Sequence, residues 1–166
     1  MLKEDYDIKG YHRLRETELL DLIQLDNYKL LNTEERQRDN GEKDVDPELN
    51  ARMEMAAQFI LQKYVLPNWP NAQYTYYNVW DGVDMDNQGW HTDFMEGYDA
   101  FFLYYFDSTQ EGTGGSISFR YGKTEDEYYP QAGDLFLVSN KRGFWHKAGA
   151  TDITRRVASF NFITNE

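Results

Sequence analysis

Cysteine is absent from this chain of 166 residues. Its absence excludes a disulfide scaffold and a thiolate metal site, so a metal would have to bind to histidine, carboxylate or water ligands. Basic residues are also scarce, since 17 Lys and Arg stand against 29 Asp and Glu and give a formal net charge of -12. A field of this sign repels polyanions, so we expect no nucleic-acid partner.

Long apolar runs are missing as well. No stretch of about 18 apolar residues occurs, and the first residues lack the apolar core of a signal peptide. We therefore expect a soluble, cytoplasmic protein that does not associate with a membrane. The sequence leaves the oligomeric state and the redox compartment open.

Aromatic side chains are abundant, with 13 Tyr, 10 Phe and 4 Trp, most of them after residue 64 in short runs separated by turn residues. This distribution predicts a β-rich C-terminal part. The length and the 40% share of hydrophobic residues suit one domain over residues 1–166. Within it, residues 1–66 would form a helical support and residues 73–164 the β core.

Two N-terminal segments have the spacing of amphipathic helices: residues 14–31, and a segment that begins at Asp46 and Pro47 and is closed by Pro67. From residue 73 onward the pattern predicts short strands. They span 73–80, 88–93, 99–106, 114–120, 134–139, 144–148 and 156–164. Such a series predicts a mainly β fold, an antiparallel jelly roll or barrel, with two N-terminal helices packed on one sheet.

Only three histidines occur, and two of them, His91 and His146, lie in strand-like contexts. Because side chains alternate along a strand, His91 and Asp93 project from the same face and can bind one metal ion. Two histidines and one carboxylate are the ligand set of non-haem iron(II) oxygenases, and zinc is the competing metal. The alternative is a histidine at a strand end that bonds to a neighbouring carboxylate.

The C-terminal half carries further motifs in a fixed order. After His91-x-Asp93 come Gly114-Gly115 leading into a strand, Pro130-x-x-Gly133, His146 and the pair Arg155-Arg156. Residues 73 to 164 therefore resemble the prolyl-4-hydroxylase-like branch of the iron(II) and 2-oxoglutarate oxygenases. The resemblance implies the jelly roll of that superfamily, the double-stranded β-helix.

The resemblance also implies roles for single residues. It makes His91, Asp93 and His146 the iron ligands and Arg156 the anchor for the far carboxylate of 2-oxoglutarate, a task for which a guanidinium is suited. Strand alternation places Arg156 with Phe160 and Phe162, apart from Arg155, and we expect the first set to line the pocket. Tyr105 aligns with a tyrosine whose hydroxyl assists cosubstrate binding, although packing would also explain it.

The implied activity is that of a dioxygenase which uses Fe(II), 2-oxoglutarate and O2 to hydroxylate a substrate, with succinate and CO2 as coproducts. Trp80, Trp90 and Trp145 flank the ligands and could stack on a substrate or fill the barrel mouth. A prolyl peptide, an amino acid and a small metabolite all remain possible substrates. The alternative function is a non-catalytic jelly-roll binding module with structural or zinc-bound histidines.

Overall fold

The computed structural model describes residues 2–31, 42–81, 89–93, 97–149, 151 and 155–166. The helices are α1 (Leu2–Ile8), α2 (Glu18–Ile23) and α3 (Pro47–Ile60). The strands are β1 (Tyr11–Arg15), β2 (Glu42–Lys43), β3 (Gln73–Asp81), β4 (Ala100–Tyr105), β5 (Ile117–Tyr121), β6 (Thr124–Tyr128), β7 (Asp134–Ser139), β8 (Phe144–Ala148) and β9 (Arg156–Ile163). No helix in these ranges is long and apolar enough to cross a bilayer.

The strands form two antiparallel sheets. The larger has the order β1-β7-β4-β9-β3-β2, and the smaller has the order β6-β5-β8. An isolated bridge joins His91 to His146 of β8, so the segment 89–93 continues the smaller sheet beyond its edge strand. Rings from the two sheets meet between them, as Phe119 and Phe136 do at 5.7 Å between centroids. The fold is the predicted jelly roll.

The larger sheet is buried on both of its faces, and side-chain alternation divides the residues between them. Even-numbered residues of β4 and β9, such as Phe102 and Phe160, pack in the core with the helices. Odd-numbered residues, such as Phe101 and Val157, pack toward the smaller sheet. The side on which a residue of β9 lies therefore decides whether it meets the helices or the interior of the jelly roll.

The second predicted helix is found as α3. Asp46 caps it by accepting a hydrogen bond from the backbone N–H of Leu49 at 2.8 Å, and Pro47 occupies its first turn. Its buried side chains recur at three-residue and four-residue spacing: Leu49, Met53, Ala56, Ala57 and Ile60. They pack in the same core as the even-numbered residues of β4 and β9, so α3 covers the outer face of the larger sheet.

Other elements differ from the predictions. The helix predicted over 14–31 is limited to Glu18–Ile23, and strand β1 precedes it. The strands β1, β2 and β6 were not predicted, because polar or charged residues fill most of their positions and an edge strand needs little apolar surface. The strand predicted over 88–93 is reduced to the single bridge at His91. Most of the acidic stretches 34–46 and 81–88 lies outside the described residues.

Candidate metal and cosubstrate site

The three predicted metal ligands come from two neighbouring stretches of chain. His91 and His146 form a hydrogen-bonded antiparallel pair, in which each backbone N–H donates to the other's carbonyl at 3.0 Å. Residues paired in this way project from the same face of a sheet, and Asp93, two residues after His91, projects from that face too. The pairing of 89–93 with β8 therefore brings the three side chains together.

The nitrogen and oxygen atoms that could bind a metal lie within 4.8 Å of one another. Nε2 of His91 is 4.0 Å from Oδ1 of Asp93, and Nε2 of His146 is 3.5 Å from Oδ2 of Asp93. Nδ1 of His91 lies 2.8 Å from the carbonyl oxygen of Gly89. Because a carbonyl only accepts, Nδ1 carries the proton, and the lone pair on Nε2 is directed to the cluster.

Burial and mutual contact shift the pKa values in this cluster. Burial opposes ionisation of Asp93, but the hydrogen bond and the attraction from His146 outweigh it and hold the pKa of Asp93 below its usual value. Burial lowers the pKa of His146, although Asp93 acts in the opposite direction. A carboxylate beside a neutral imidazole is the protonation state that metal ligands need.

The cluster opens into a cavity of about 210 Å³ between the two sheets. Its lining residues are Glu42, Tyr76, Asn78, Trp80, His91, Asp93, Tyr98, Phe101, Leu103, Tyr105, Ile117, His146, Ala148, Arg155, Val157 and Ser159. The wall is mixed, with a metal-binding cluster, a guanidinium, several aromatic rings and polar groups of β3.

The structure brings Arg155, and not Arg156, into this cavity. Arg156 lies on the helix side of β9, where its guanidinium bonds to Asp107 at 2.8 Å and to Asp26 at 2.7 Å. The prediction that Arg156 faces the pocket is therefore corrected. The division of β9 into two faces was right, but Phe160 and Phe162, which seemed to suit a pocket wall, pack under the helices instead.

Arg155 is fixed against the double-glycine turn. Its side chain is buried, and its Nη1 donates to the carbonyl of Gly115 at 2.7 Å. Gly115 has a φ of +86°, and a Cβ there would lie 2.9 Å from Cγ2 of Thr109 and 3.4 Å from Nη1 of Arg155. Glycine at this position allows the close approach of backbone and guanidinium.

Tyr105 lines the cavity together with Leu103, as the alternation along β4 predicts. Burial raises the pKa of Tyr105 to about 12, and the positive charge of Arg155 acts in the opposite direction. The phenol therefore keeps its proton at neutral pH and can donate a hydrogen bond inside the cavity.

The three tryptophans predicted to contact a substrate lie in different surroundings. Trp80 lines the cavity. Trp145 is 41% exposed, and the ring of Trp90 lies against the cationic groups of Arg120 and Lys147 at 4.2 and 4.8 Å. Neither Trp90 nor Trp145 is among the described residues that line the cavity, so of the three only Trp80 lies where the prediction placed it, and the substrate contacts stay a prediction.

Glu42 and Asn78 are among the polar lining residues that the sequence reasoning missed. Asn78 shares its face of β3 with Trp80, and this alternation was a signal that could have located it. Glu42 comes after a polar stretch in a strand of two residues, and no local pattern distinguishes it from other acidic residues. Only the pairing of β2 with β3 reveals its position.

Several solved structures have a fold similar to that of this chain, and the similarity extends over nearly its whole length. A 2OG-Fe(II) oxygenase family protein from Burkholderia pseudomallei has a TM-score of 0.68 and 10% identity, with 97% of this chain and 88% of that chain covered. A prolyl-4-hydroxylase from Pseudomonas putida has a TM-score of 0.62 and 16% identity, with 98% and 97% covered. The chain has the fold of the 2-oxoglutarate and iron(II) oxygenases.

This fold supports more than one chemistry. A non-haem α-ketoglutarate-dependent epimerase from nogalamycin biosynthesis has a TM-score of 0.68 and 13% identity, with 98% of this chain and 80% of that chain covered. The sequence matches neither a protein-family model nor a curated protein. At these identities the similarity establishes the fold, and the activity has to be argued from the site.

Proposed function

We propose that this protein is an iron(II)- and 2-oxoglutarate-dependent oxygenase that hydroxylates its substrate. The observation that carries the proposal is the presence of two complementary groups in one cavity. The His91, Asp93 and His146 cluster suits iron(II), and the buried guanidinium of Arg155 suits a carboxylate. A zinc-binding module would need the cluster but would have no use for the arginine.

The donor set fits the metal. Two imidazoles and one carboxylate leave coordination positions for a chelating cosubstrate and for dioxygen, and the hydrogen bond from His91 to Gly89 holds one imidazole in its metal-binding tautomer. Bound iron(II) would couple the oxidation of 2-oxoglutarate to succinate and CO2 with the transfer of one atom of O2 to the substrate. His91, Asp93 and His146 would hold it.

The remaining residues would position the cosubstrate. Arg155, anchored on Gly115, would bind the far carboxylate of 2-oxoglutarate, and the hydroxyl of Tyr105 would donate a hydrogen bond beside it. The apolar side chains of Leu103, Ile117 and Val157 would exclude water around it. These roles assign Arg155 the task that the sequence resemblance assigned to Arg156.

The test is titration of the oxygen-free protein with iron(II) and then 2-oxoglutarate. We expect the weak visible charge-transfer band of the chelate to appear only when both are present. His91→Ala and His146→Ala should remove the band and lower iron-dependent succinate formation by more than about 100-fold, because losing a ligand costs more than losing its supporting contact.

His12→Ala is the matched control, because His12 bonds to Asp5 at 2.7 Å and does not line the cavity. This variant should keep both the band and the activity. Full succinate formation by either ligand variant would contradict the assignment of the metal site.

A further inference from the structure

The segment 89–93 carries two of the three metal ligands, and it lies beside β8 as a single bridge rather than as a regular strand. The bridge contributes two backbone hydrogen bonds between His91 and His146. Thr92 adds a long hydrogen bond to the carbonyl of Asn140, at 3.4 Å. A ligand that is not held in place subtracts the cost of its ordering from the free energy of metal binding. Any further contact that fixes this segment therefore contributes to the metal affinity.

The ring of Trp90 provides a further attachment, on the outer face of the smaller sheet. Because side chains alternate, Trp90 projects away from the metal cluster while His91 projects toward it. The antiparallel bridge between His91 and His146 places Trp90 beside Lys147, whose Nζ lies 4.8 Å from the centroid of the ring. The guanidinium carbon of Arg120, on β5, lies 4.2 Å from the same ring. The ring therefore joins the segment to two strands of the sheet.

The guanidinium of Arg120 is itself oriented by a neighbour. Its Nε donates to Oε1 of Glu125, on β6, at 3.1 Å. An exposed ion pair of this kind contributes little energy by itself, but it restricts the guanidinium to the region of the indole. A cation near the face of an indole is attracted to it, more strongly where both are partly desolvated, and Trp90 is half-buried. The contacts of Trp90 thus extend from the segment 89–93 to the far edge of the smaller sheet.

We propose that Trp90, held against Arg120 and Lys147, is a positioning residue that fixes the ligands His91 and Asp93 for the metal. This inference rests on the proposed function for the identity of the metal, iron(II). None of the three positioning side chains is among the described residues that line the cavity, so they would act through the backbone of the segment 89–93. Attachment through the outer face leaves the inner face of the segment to the metal.

Trp145 offers a matched comparison within the same sheet. It precedes His146 as Trp90 precedes His91, and it lies on the same outer face, directly opposite Arg120 of β5. Trp145 is 41% exposed, whereas Trp90 is half-buried. His146 is already fixed within β8, which pairs with β5 over five residues. Loss of the ring of Trp145 should therefore leave its neighbouring ligand in place.

The first measurement is amide hydrogen exchange, followed by NMR on the metal-free protein. The backbone N–H of His91 donates to His146 in the bridge, so its exchange rate reports how firmly the segment is attached. Trp90→Leu keeps an apolar side chain but removes the ring, and it should raise this rate by about 5-fold to 30-fold, the effect of losing two cation–π contacts. Trp90→Phe keeps a ring face and should restore most of the protection. Trp145→Leu should stay within about 2-fold of wild type.

The second measurement is the iron(II) affinity of the oxygen-free protein, from competition with a coloured chelator. Trp90→Leu should weaken iron(II) binding by about 5-fold to 30-fold, and Arg120→Gln or Lys147→Gln by about 2-fold to 5-fold each. At saturating iron(II), the affinity of Trp90→Leu for 2-oxoglutarate should stay within about 2-fold of wild type, because Arg155 and Tyr105 lie outside the segment. General damage to the fold would weaken both affinities.

An unchanged exchange rate at His91 or an unchanged iron(II) affinity in Trp90→Leu would overturn the inference, as would equal losses in Trp145→Leu. The charge-transfer band that forms on addition of 2-oxoglutarate reports on the proposed function separately. A wild type that shows the band, with variants of unchanged iron(II) affinity, refutes the positioning role alone. A wild type that binds iron(II) without the band refutes the proposed oxygenase, and the affinities of the variants still decide the role of Trp90.

Discussion

Adjacent residues at the start of a strand can have unrelated surroundings, as Arg156, the first residue of β9, and Arg155, which precedes it, illustrate. Arg155 is buried in the cavity wall, whereas Arg156 joins the outer face of β9 to Asp107 and Asp26. A guanidinium that binds a carboxylate inside a cavity contributes to affinity, while one in ion pairs at the surface contributes modestly to stability. The two substitutions should therefore affect different measurements.

Arg155→Gln should weaken 2-oxoglutarate binding by roughly 30-fold to 1,000-fold, which corresponds to a loss of about 2 to 4 kcal/mol from a charge-assisted contact. Arg156→Gln is the matched variant and should change this affinity by less than about 2-fold while lowering the melting temperature. The measurement is the 2-oxoglutarate dependence of succinate formation, together with thermal unfolding of both variants. A larger loss of affinity in Arg156→Gln would return the anchoring role to that residue.

At the scale of elements, the sequence predicted most of the jelly roll because its strands carry apolar or aromatic side chains at most positions. The alternation from His91 to Asp93 also gave a correct geometric expectation for the cluster. Alternation could not identify the cavity side of β9, because six of its eight residues are buried, on one face by helices and on the other by the smaller sheet. Where both faces are apolar, hydrophobicity does not distinguish them.

Edge elements were predicted least well. The pairing of β2 with β3 brings Glu42 to the cavity from a distance of 36 residues along the chain, as its hydrogen bond with Asn78 records. A strand of two residues has no periodicity that a sequence could reveal. Long-range pairing therefore places Glu42 in the cavity wall and His146 beside His91, whereas local alternation relates only His91 to Asp93.

Strand β1 is joined to the helical turn 61–65, which follows α3, by a buried carboxylate. Glu16 follows β1 and accepts hydrogen bonds from Lys63, at 2.7 Å, and from the hydroxyl of Tyr64. Burial would raise the pKa of Glu16, but these two partners outweigh it and hold the pKa below its ordinary value of 4.5. The ionised carboxylate is thus the stabilising form.

A group with a lowered pKa stabilises the fold above its unfolded-state pKa, and this contribution is lost as the pH falls through the folded value. Glu16→Gln should therefore lower the free energy of unfolding by about 1 to 3 kcal/mol at pH 7, and the difference from wild type should shrink below about pH 4. Urea unfolding at both pH values measures this, with the exposed Glu18→Gln as control. A difference that stays constant with pH would contradict the ion pair's role.

At the scale of the whole molecule, salt should have two opposing effects on the stability of this acidic protein. Screening weakens exposed ion pairs such as Lys3 with Asp7, but each such pair contributes only about 0 to 1 kcal/mol. Screening also relieves the repulsion among the surplus negative charges, and this repulsion acts between many pairs at once. We expect the relief of repulsion to be the larger effect.

The melting temperature should therefore rise as sodium chloride is increased from about 0.01 M to about 0.15 M, a change that shortens the screening length from about 30 Å to about 8 Å. A rise of about 2 to 4 °C would correspond to about 1 kcal/mol for a chain of this size. Differential scanning calorimetry at constant pH measures the melting temperature. Replacing an exposed acidic residue, as in Glu18→Gln, should slightly reduce the slope of melting temperature against salt concentration, because the surplus negative charge is smaller. A melting temperature that falls over this range of salt would contradict this expectation. It would mean that the attraction within ion pairs contributes more to stability than the repulsion among the surplus negative charges takes away.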